Sequence, residues 1–338
     1  MARTAVILMN LGGPDRLESV RPFLFNLFSD PAIIRLPAFL RLPLAQFLSW
    51  RRARVARDIY ERLGGGSPLL ANTLAQARAL EAELGPDHLC FVAMRYWRPL
   101  SEETARKVAE WGPEEIVCLP LYPQFSTTTT ASSVAAWHAA AMRAGVDCDT
   151  RVVCCYPSDE GFAAAMAGLI RPVLDEASGF EKPPRLLLTA HGLPKQIIRA
   201  GDPYPSQVET SAVAIVSALG RRGLDWRLCY QSRVGPLEWI GPATDDEIRC
   251  AGKERTPLVV APVSFVSEHS ETLVELDLDY RRLAEACGVP AYYRVSTVGT
   301  EPRFIQSLAA LVRRASAGGS VGLCAFANPV CVAAGAGD

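Results

Sequence analysis

Five side chains in this sequence could do chemistry together. His191 ends the apolar run of LLLTAHGLPK (186–195), where Gly192 and Pro194 then interrupt the pattern. His269, Glu271, Glu275 and Asp279 fall within SEHSETLVELDLD (267–279). The chain has only four histidines, so two of them sit in these segments. Imidazole titrates near neutral pH and is a common metal ligand. Two imidazoles and a carboxylate brought together would accept protons or bind a borderline divalent ion such as Fe²⁺. The ordinary alternative for His191 is a hydrogen-bonded histidine at a strand end.

The three carboxylates recur every four residues, which on an α-helix stacks them along one face. Like charges at that spacing repel. The helix dipole favours an anion in the first turn only, so it excuses Glu271 and not Asp279. A cation would relieve the repulsion, and the ladder therefore suggests a path for a divalent metal or for protons. A solvated acidic face, matched by Arg281 and Arg282, is the ordinary alternative.

The elements that must position these residues are legible as short apolar runs ending at turn signals. They cover 4–11, 88–94, 115–121, 150–156, 185–190, 226–231, 257–263 and 290–295. Runs of this length suit strands buried on both faces. Between them, helical spacing marks 70–84, 101–111, 130–143, 158–177, 205–220, 269–286 and 301–315. The alternation predicts an α/β protein of two similar, doubly wound parallel-sheet domains, 1–156 and 157–316, followed by a small-residue tail, 317–338. Ligands of such sheets bind beyond the carboxyl ends of the strands, and His191 follows one of those ends.

Residues 31–58 interrupt the rhythm. Pro31, Pro37 and Pro43 argue against one long helix here. The stretch is rich in Leu and Phe, then basic at Arg51, Arg52, Arg54 and Arg57. Such a flap would cover a flat apolar ligand bearing carboxylates or touch a membrane surface. An ordinary helical hairpin with a basic face fits as well. Arg95, Tyr96, Tyr122 and Trp239 each follow an apolar strand, where they would line a flat pocket or simply pack.

Several function classes are excluded or unsupported. A formal net charge of −1 gives no global field for nucleic acid. No apolar run approaches a membrane span, and the start lacks a signal-peptide pattern, so a cytoplasmic protein is expected. The ten cysteines form no CxxC pair. No GxSxG, GxGxxG or GK[ST] motif occurs, which leaves serine-hydrolase and nucleotide chemistry without support.

The blocks YERLGGGSP, MRYWRPL, YPQFS, LLLTAHGLPKQIIRAGDPY, YQSRVGPLEWIGP and SEHSETLVELD, in this order, resemble the ferrochelatases over essentially the whole chain. The resemblance implies two flavodoxin-like, chelatase-type domains around a porphyrin cleft, and a lyase that inserts Fe²⁺ into protoporphyrin IX with release of two protons. It implies that His191 and Glu271 bind iron and take porphyrin protons, with His269, Glu275 and Asp279 forming the adjoining metal and proton path. Leu11, Arg51, Arg52, Arg95, Tyr122 and Trp239 match porphyrin-binding positions, and 31–58 matches a hydrophobic lip that also allows peripheral membrane contact. Leu11 stands where coproporphyrin-using members carry Tyr, which points to the protoporphyrin branch. Some members hold a [2Fe–2S] cluster on four cysteines. Cys324 and Cys331 match two of these, but Thr127 and Phe326 stand at the other positions, and Cys148, Cys154 and Cys155 are the remaining substitutes. The cluster is left undecided, with the balance against it. The alternatives are a non-catalytic haem or metal carrier, and a chelatase for another metal or tetrapyrrole.

Overall fold

The computed structural model describes residues 3–233 and 235–318. Cys324 and Cys331 lie outside the described residues. The chain divides into two compact units. One runs to Tyr156 and resumes at Leu308, and the other is Pro157–Ser307.

Each unit is built on a four-stranded, wholly parallel sheet. In the first unit the strands are β1 (Thr4–Asn10), β2 (His88–Met94), β3 (Glu115–Pro120) and β4 (Asp149–Val152), in the order β2-β1-β3-β4. In the second they are β5 (Arg185–His191), β6 (Trp226–Gln231), β7 (Leu258–Pro262) and β8 (Tyr292–Arg294), in the order β6-β5-β7-β8. The two orders are the same relative to the chain. In both, the winding reverses beside the first strand, which opens a crevice at the carboxyl ends of the strands. In the second unit that point lies between β5 and β7.

The central strands are mostly apolar and almost wholly buried. Every residue of β1 and β7 is buried, as are Arg185–Ala190 of β5. Ile7, Met9, Ile116 and Trp137 centre the core of the first unit, and Leu187, Val260, Ile248 and Leu276 that of the second. Full burial of one such aliphatic side chain stabilises by about 1.5–3 kcal/mol. β4 is shorter than the apolar run 150–156 suggests. Its continuation would pair with Pro120, which has no N–H to give to the ladder. Cys154 and Cys155 instead pack with Phe125 in a small apolar cluster.

Residues 31–58 differ from the sequence expectation. α1 (Val20–Ser29) is followed by a single helix, α2 (Ala38–Arg62), that includes Pro43. Pro37 lies just before the helix, and Pro43 deletes only the bond to the carbonyl of Phe39 near the exposed end. The lower part of α2 packs on α1 through Tyr60, Val20, Phe23 and Leu24. The upper part leaves Phe39, Leu40, Phe47 and Trp50 exposed. No helix among the described residues is long and apolar enough to cross a membrane.

Two glycine-containing blocks of the first unit pack on each other. A Cβ on Gly66 would stand 2.5 Å from the Asp15 carbonyl oxygen, and Ser67 N–H donates to the Pro14 carbonyl at 2.8 Å. GGGSP therefore supports the NLGGP loop that presents Leu11.

Candidate active site

The second unit gathers the reactive side chains at the carboxyl ends of β5, β6 and β7. His191 is the last residue of β5, and its backbone N–H donates to Ser264 Oγ at 3.1 Å. Gly192 is required next. A Cβ there would lie 2.9 Å from the Gln231 carbonyl oxygen and 3.3 Å from the Trp239 ring. Trp239 is held over this turn by an antiparallel bridge to Pro194.

The segment that carries the acids is a π-helix, Glu271–Asp279, and continues as an α-helix, Tyr280–Cys287. This corrects the α-helical ladder expected over 269–286. The three acids lie in different surroundings. Glu271 meets His191, Glu275 turns toward the end of β6, and Asp279 is exposed. Tertiary bonds oppose α-winding: Tyr292 donates its hydroxyl to the Leu276 carbonyl at 2.8 Å, and Ser232 binds the Glu275 side chain.

His191 Nδ1 and Glu271 Oε2 are 3.0 Å apart. With the carboxylate accepting, Nδ1 carries the proton and Nε2 is left with a lone pair. His269 is arranged in the opposite sense. Its Nδ1 accepts the backbone N–H of Glu271 at 3.0 Å, so Nε2 is the nitrogen left to donate. Phe265 stands between the two imidazoles, edge-on to His269 at 4.5 Å and to His191 at 6.5 Å.

Glu275 is held by residues that motif reading passed over. Ser232 N–H donates to Oε1 at 2.8 Å, Tyr280 O–H to Oε1 at 3.0 Å and Gln231 Nε2 to Oε2 at 3.1 Å. Gln231 also donates to the Glu271 carbonyl at 3.1 Å and accepts from Thr189 at 3.0 Å. Ser232 adopts φ 63°, a left-handed conformation unusual outside glycine, and this aims its N–H at the carboxylate. Ser232 lay inside YQSRVGPLEWIGP, but nothing local marks it as a carboxylate donor.

Burial and charge divide the titrating groups. Burial alone would lower the His191 pKa, but the Glu271 carboxylate outweighs it and raises the value above the usual imidazole range. Burial alone would raise the Glu271 carboxyl, but the His191 charge and hydrogen bond hold it at about 2. Burial raises Glu275, and the neighbouring Glu271 charge adds to this against the bonds from Ser232. Burial lowers His269. The two carboxylates are thus driven apart, one kept ionised and one made receptive to a proton. Glu275 and Tyr280 also open onto a cavity of about 540 Å³ lined further by Arg233, Trp239 and Asp245. Among the described residues, no three or more of His, Cys, Asp and Glu are arranged to hold a metal ion.

The remaining sequence candidates lie in the first unit. Leu11 packs beside Val20, Phe23 and Tyr96. Arg95 is committed to Asp30 at 2.8 Å and to Ser132 at 2.7 Å. Tyr122 O–H lies 3.5 Å from Ser133 Oγ. Arg51 is exposed on α2, and Arg52 is partly buried, which lowers its pKa.

A family model described as Ferrochelatase matches residues 3–316. The chain is 56% identical over 312 residues to a ferrochelatase of Phenylobacterium zucineum, covering 91% of this chain and 90% of that one. It is 54% identical over 316 residues to one from Caulobacter vibrioides, covering 92% and 90%. Among solved structures it resembles the sirohydrochlorin chelatase SirB of Bacillus subtilis subspecies spizizenii, in complex with cobalt. The TM-score is 0.53 at 10% identity, over 93% of this chain and 96% of that one. That likeness shows a shared chelatase-type fold.

Proposed function

This chain belongs to the ferrochelatase family, and from that premise we propose how its residues insert ferrous iron into protoporphyrin IX with release of two protons. The enzyme is a lyase. Its physical problem is that a flat porphyrin holds two N–H protons and directs its nitrogen lone pairs inward. Binding energy from the macrocycle can be spent on distorting it.

The observation that carries the reading is the 3.0 Å hydrogen bond between His191 Nδ1 and Glu271 Oε2. It leaves the Nε2 lone pair to accept a pyrrole proton, and Glu271 stabilises the imidazolium that forms. Glu271, held ionised, is a poor proton store and a good iron donor. Glu275 takes the second proton and passes it through Tyr280 toward the adjoining cavity. His269 and Asp279 extend that path. Leu11, Arg51, Arg52, Arg95, Tyr122 and Trp239 are the proposed porphyrin-lining residues. Arg95 acts with its charge already balanced by Asp30.

The protein is proposed to work in the cytoplasm, with the exposed face of α2 touching a membrane from which an apolar porphyrin arrives. No cluster is assigned. Thr127 and Phe326 replace two of the four thiolates, and Cys154 and Cys155 are packed in an apolar cluster. Incubating the pure protein anaerobically with Fe²⁺ and protoporphyrin IX should yield the haem spectrum. His191→Ala should reduce turnover at least ~100-fold, the scale of a lost general base. Near-normal turnover in a folded variant would remove His191 from this role. Iron–sulfur absorption bands in the protein as isolated would overturn the reading without a cluster.

A further inference from the structure

A π-helix nine residues long is uncommon, since most π-geometry occurs as single-turn bulges. Something must hold it, and the grip comes from β8. Arg294 donates from Nε and Nη2 to the two oxygens of Asp277 at 2.7 and 2.8 Å, a bidentate fork. From Nη1 it donates to Glu268 Oε1 at 2.6 Å. Glu268 immediately precedes His269, and Asp277 follows Glu275 by two residues. One guanidinium therefore spans the whole reactive stretch and holds both its flanks. Glu268 Oε1 also accepts the Thr297 N–H at 2.9 Å, and Tyr292, on the same strand as Arg294, binds the Leu276 carbonyl. The Arg294 side chain is only 10% exposed, so these pairs are largely protected from salt and water.

We propose that Arg294 is a positioning residue for iron insertion. By tying Glu268 and Asp277 together it fixes the winding of 271–279, so that Glu271 meets His191 while Glu275 meets Gln231 and Ser232. If the segment relaxed to α-winding, each turn would close one residue sooner and Glu275 would rotate away from Ser232. Arg294 is committed to Glu268 and Asp277, and so acts through the segment. The inference rests on the reading above, which gives Glu271 the iron and Glu275 a proton.

The test uses the full chain carrying Arg294→Lys, Arg294→Gln or Asp277→Asn. Lysine keeps the charge but cannot form the fork. Amide exchange is measured without substrates over 271–281, with β5 as the internal control. Steady-state kinetics are measured with Fe²⁺ and protoporphyrin IX varied separately. Arg294→Lys should speed exchange in 271–281 by about tenfold or more while β5 keeps its protection. It should lower kcat about 10- to 100-fold at an unchanged KM for porphyrin, as expected when a reacting group is misplaced. Combining Arg294→Lys with Asp277→Asn should cost no more than either change alone, because both break one fork. Wild-type kcat and exchange in Arg294→Lys would overturn the proposal. So would an equal loss of protection in β5, which would make the arginine a general stabiliser. Arg294→Gln removes the cation that two carboxylates share, and if it does not fold the lysine variant carries the decision. A wild-type protein that makes no haem would sink the functional reading and leave the exchange result to judge the clamp.

Discussion

At the scale of single residues, function turns on how neighbours set the protonation of like groups. Glu271 and Glu275 are four residues apart and chemically similar. Contact with His191 keeps the first ionised, whereas burial beside that charge makes the second receptive to a proton. The signs give a pH prediction. In the role proposed for it, His191 must be neutral at Nε2 to accept a proton, and Glu271 raises its pKa. The acid limb of kcat/KM should therefore lie above the ordinary imidazole value of 6.5. Glu271→Gln removes the raising charge, so the limb should move toward lower pH along with a fall in rate. A pH–rate profile with an unmoved limb would show that another group titrates. Stability has its own window. The folded-state pKa of Glu271 is about 2 against an ordinary 4.5, so its stabilisation is present above pH 4.5 and fades as pH falls toward 2. The same pair seen from His191, whose pKa is raised, is fully formed below pH 6.5 and lost as pH rises through the folded value. Acid unfolding followed between pH 4.5 and 2 should be less steep in Glu271→Gln than in the wild type. Sequence reading marked His191, His269, Glu271 and Glu275 by residue type. It passed over Gln231, Ser232 and Tyr280, because a hydrogen-bonding residue at a strand end gains its role only from what lies opposite it.

At the scale of elements, the site depends on strand ends and on one unusual helix. Gly192 lets the turn after β5 pass beneath Trp239 and against β6. Gly192→Ala must push back a backbone carbonyl, and we expect a loss of about 1–3 kcal/mol in stability. Turnover should fall with it, because His191 is the adjacent residue. Denaturant unfolding and kcat measured on one preparation would check this, and an alanine variant with unchanged midpoint and rate would refute the packing argument. The eight strands were legible because residues buried on both faces leave long apolar runs. The α-helix expected over 269–286 was not the helix found. A spacing of four fits α-winding in sequence, while the π-winding depends on Arg294 and Tyr292, which come from a strand later in the chain. The single helix α2 was missed for a related reason. A proline counts against a helix in general, but its cost falls when the bond it removes lies near an exposed helix end.

At the scale of the whole molecule, two units with the same strand order each present the carboxyl ends of a parallel sheet. The exposed part of α2 adds a surface unlike the rest, with Phe39 74% and Trp50 63% exposed beside Arg51, Arg54 and Arg57. Aromatic rings with arginines suit an anionic lipid surface, each basic residue contributing about 1 kcal/mol. Phe39→Ser with Trp50→Ser should lower partitioning onto vesicles containing phosphatidylserine by at least ~10-fold, given the apolar area removed. Wild-type binding that matches the variant in sedimentation with vesicles would refute membrane contact at this face. Taken by itself, the sequence determined the family, the eight strands, the α/β class and the residue types proposed to do the chemistry. These follow from local pattern, since burial, turns and reactive side chains leave marks within a few residues. Only the tertiary structure decided which carboxyl a histidine shifts down, which one burial shifts up, and how the segment that bears them is wound. Those properties depend on Coulomb and hydrogen-bond contacts between residues 16 to 80 positions apart, and such contacts exist only once the sheet has brought the strand ends together.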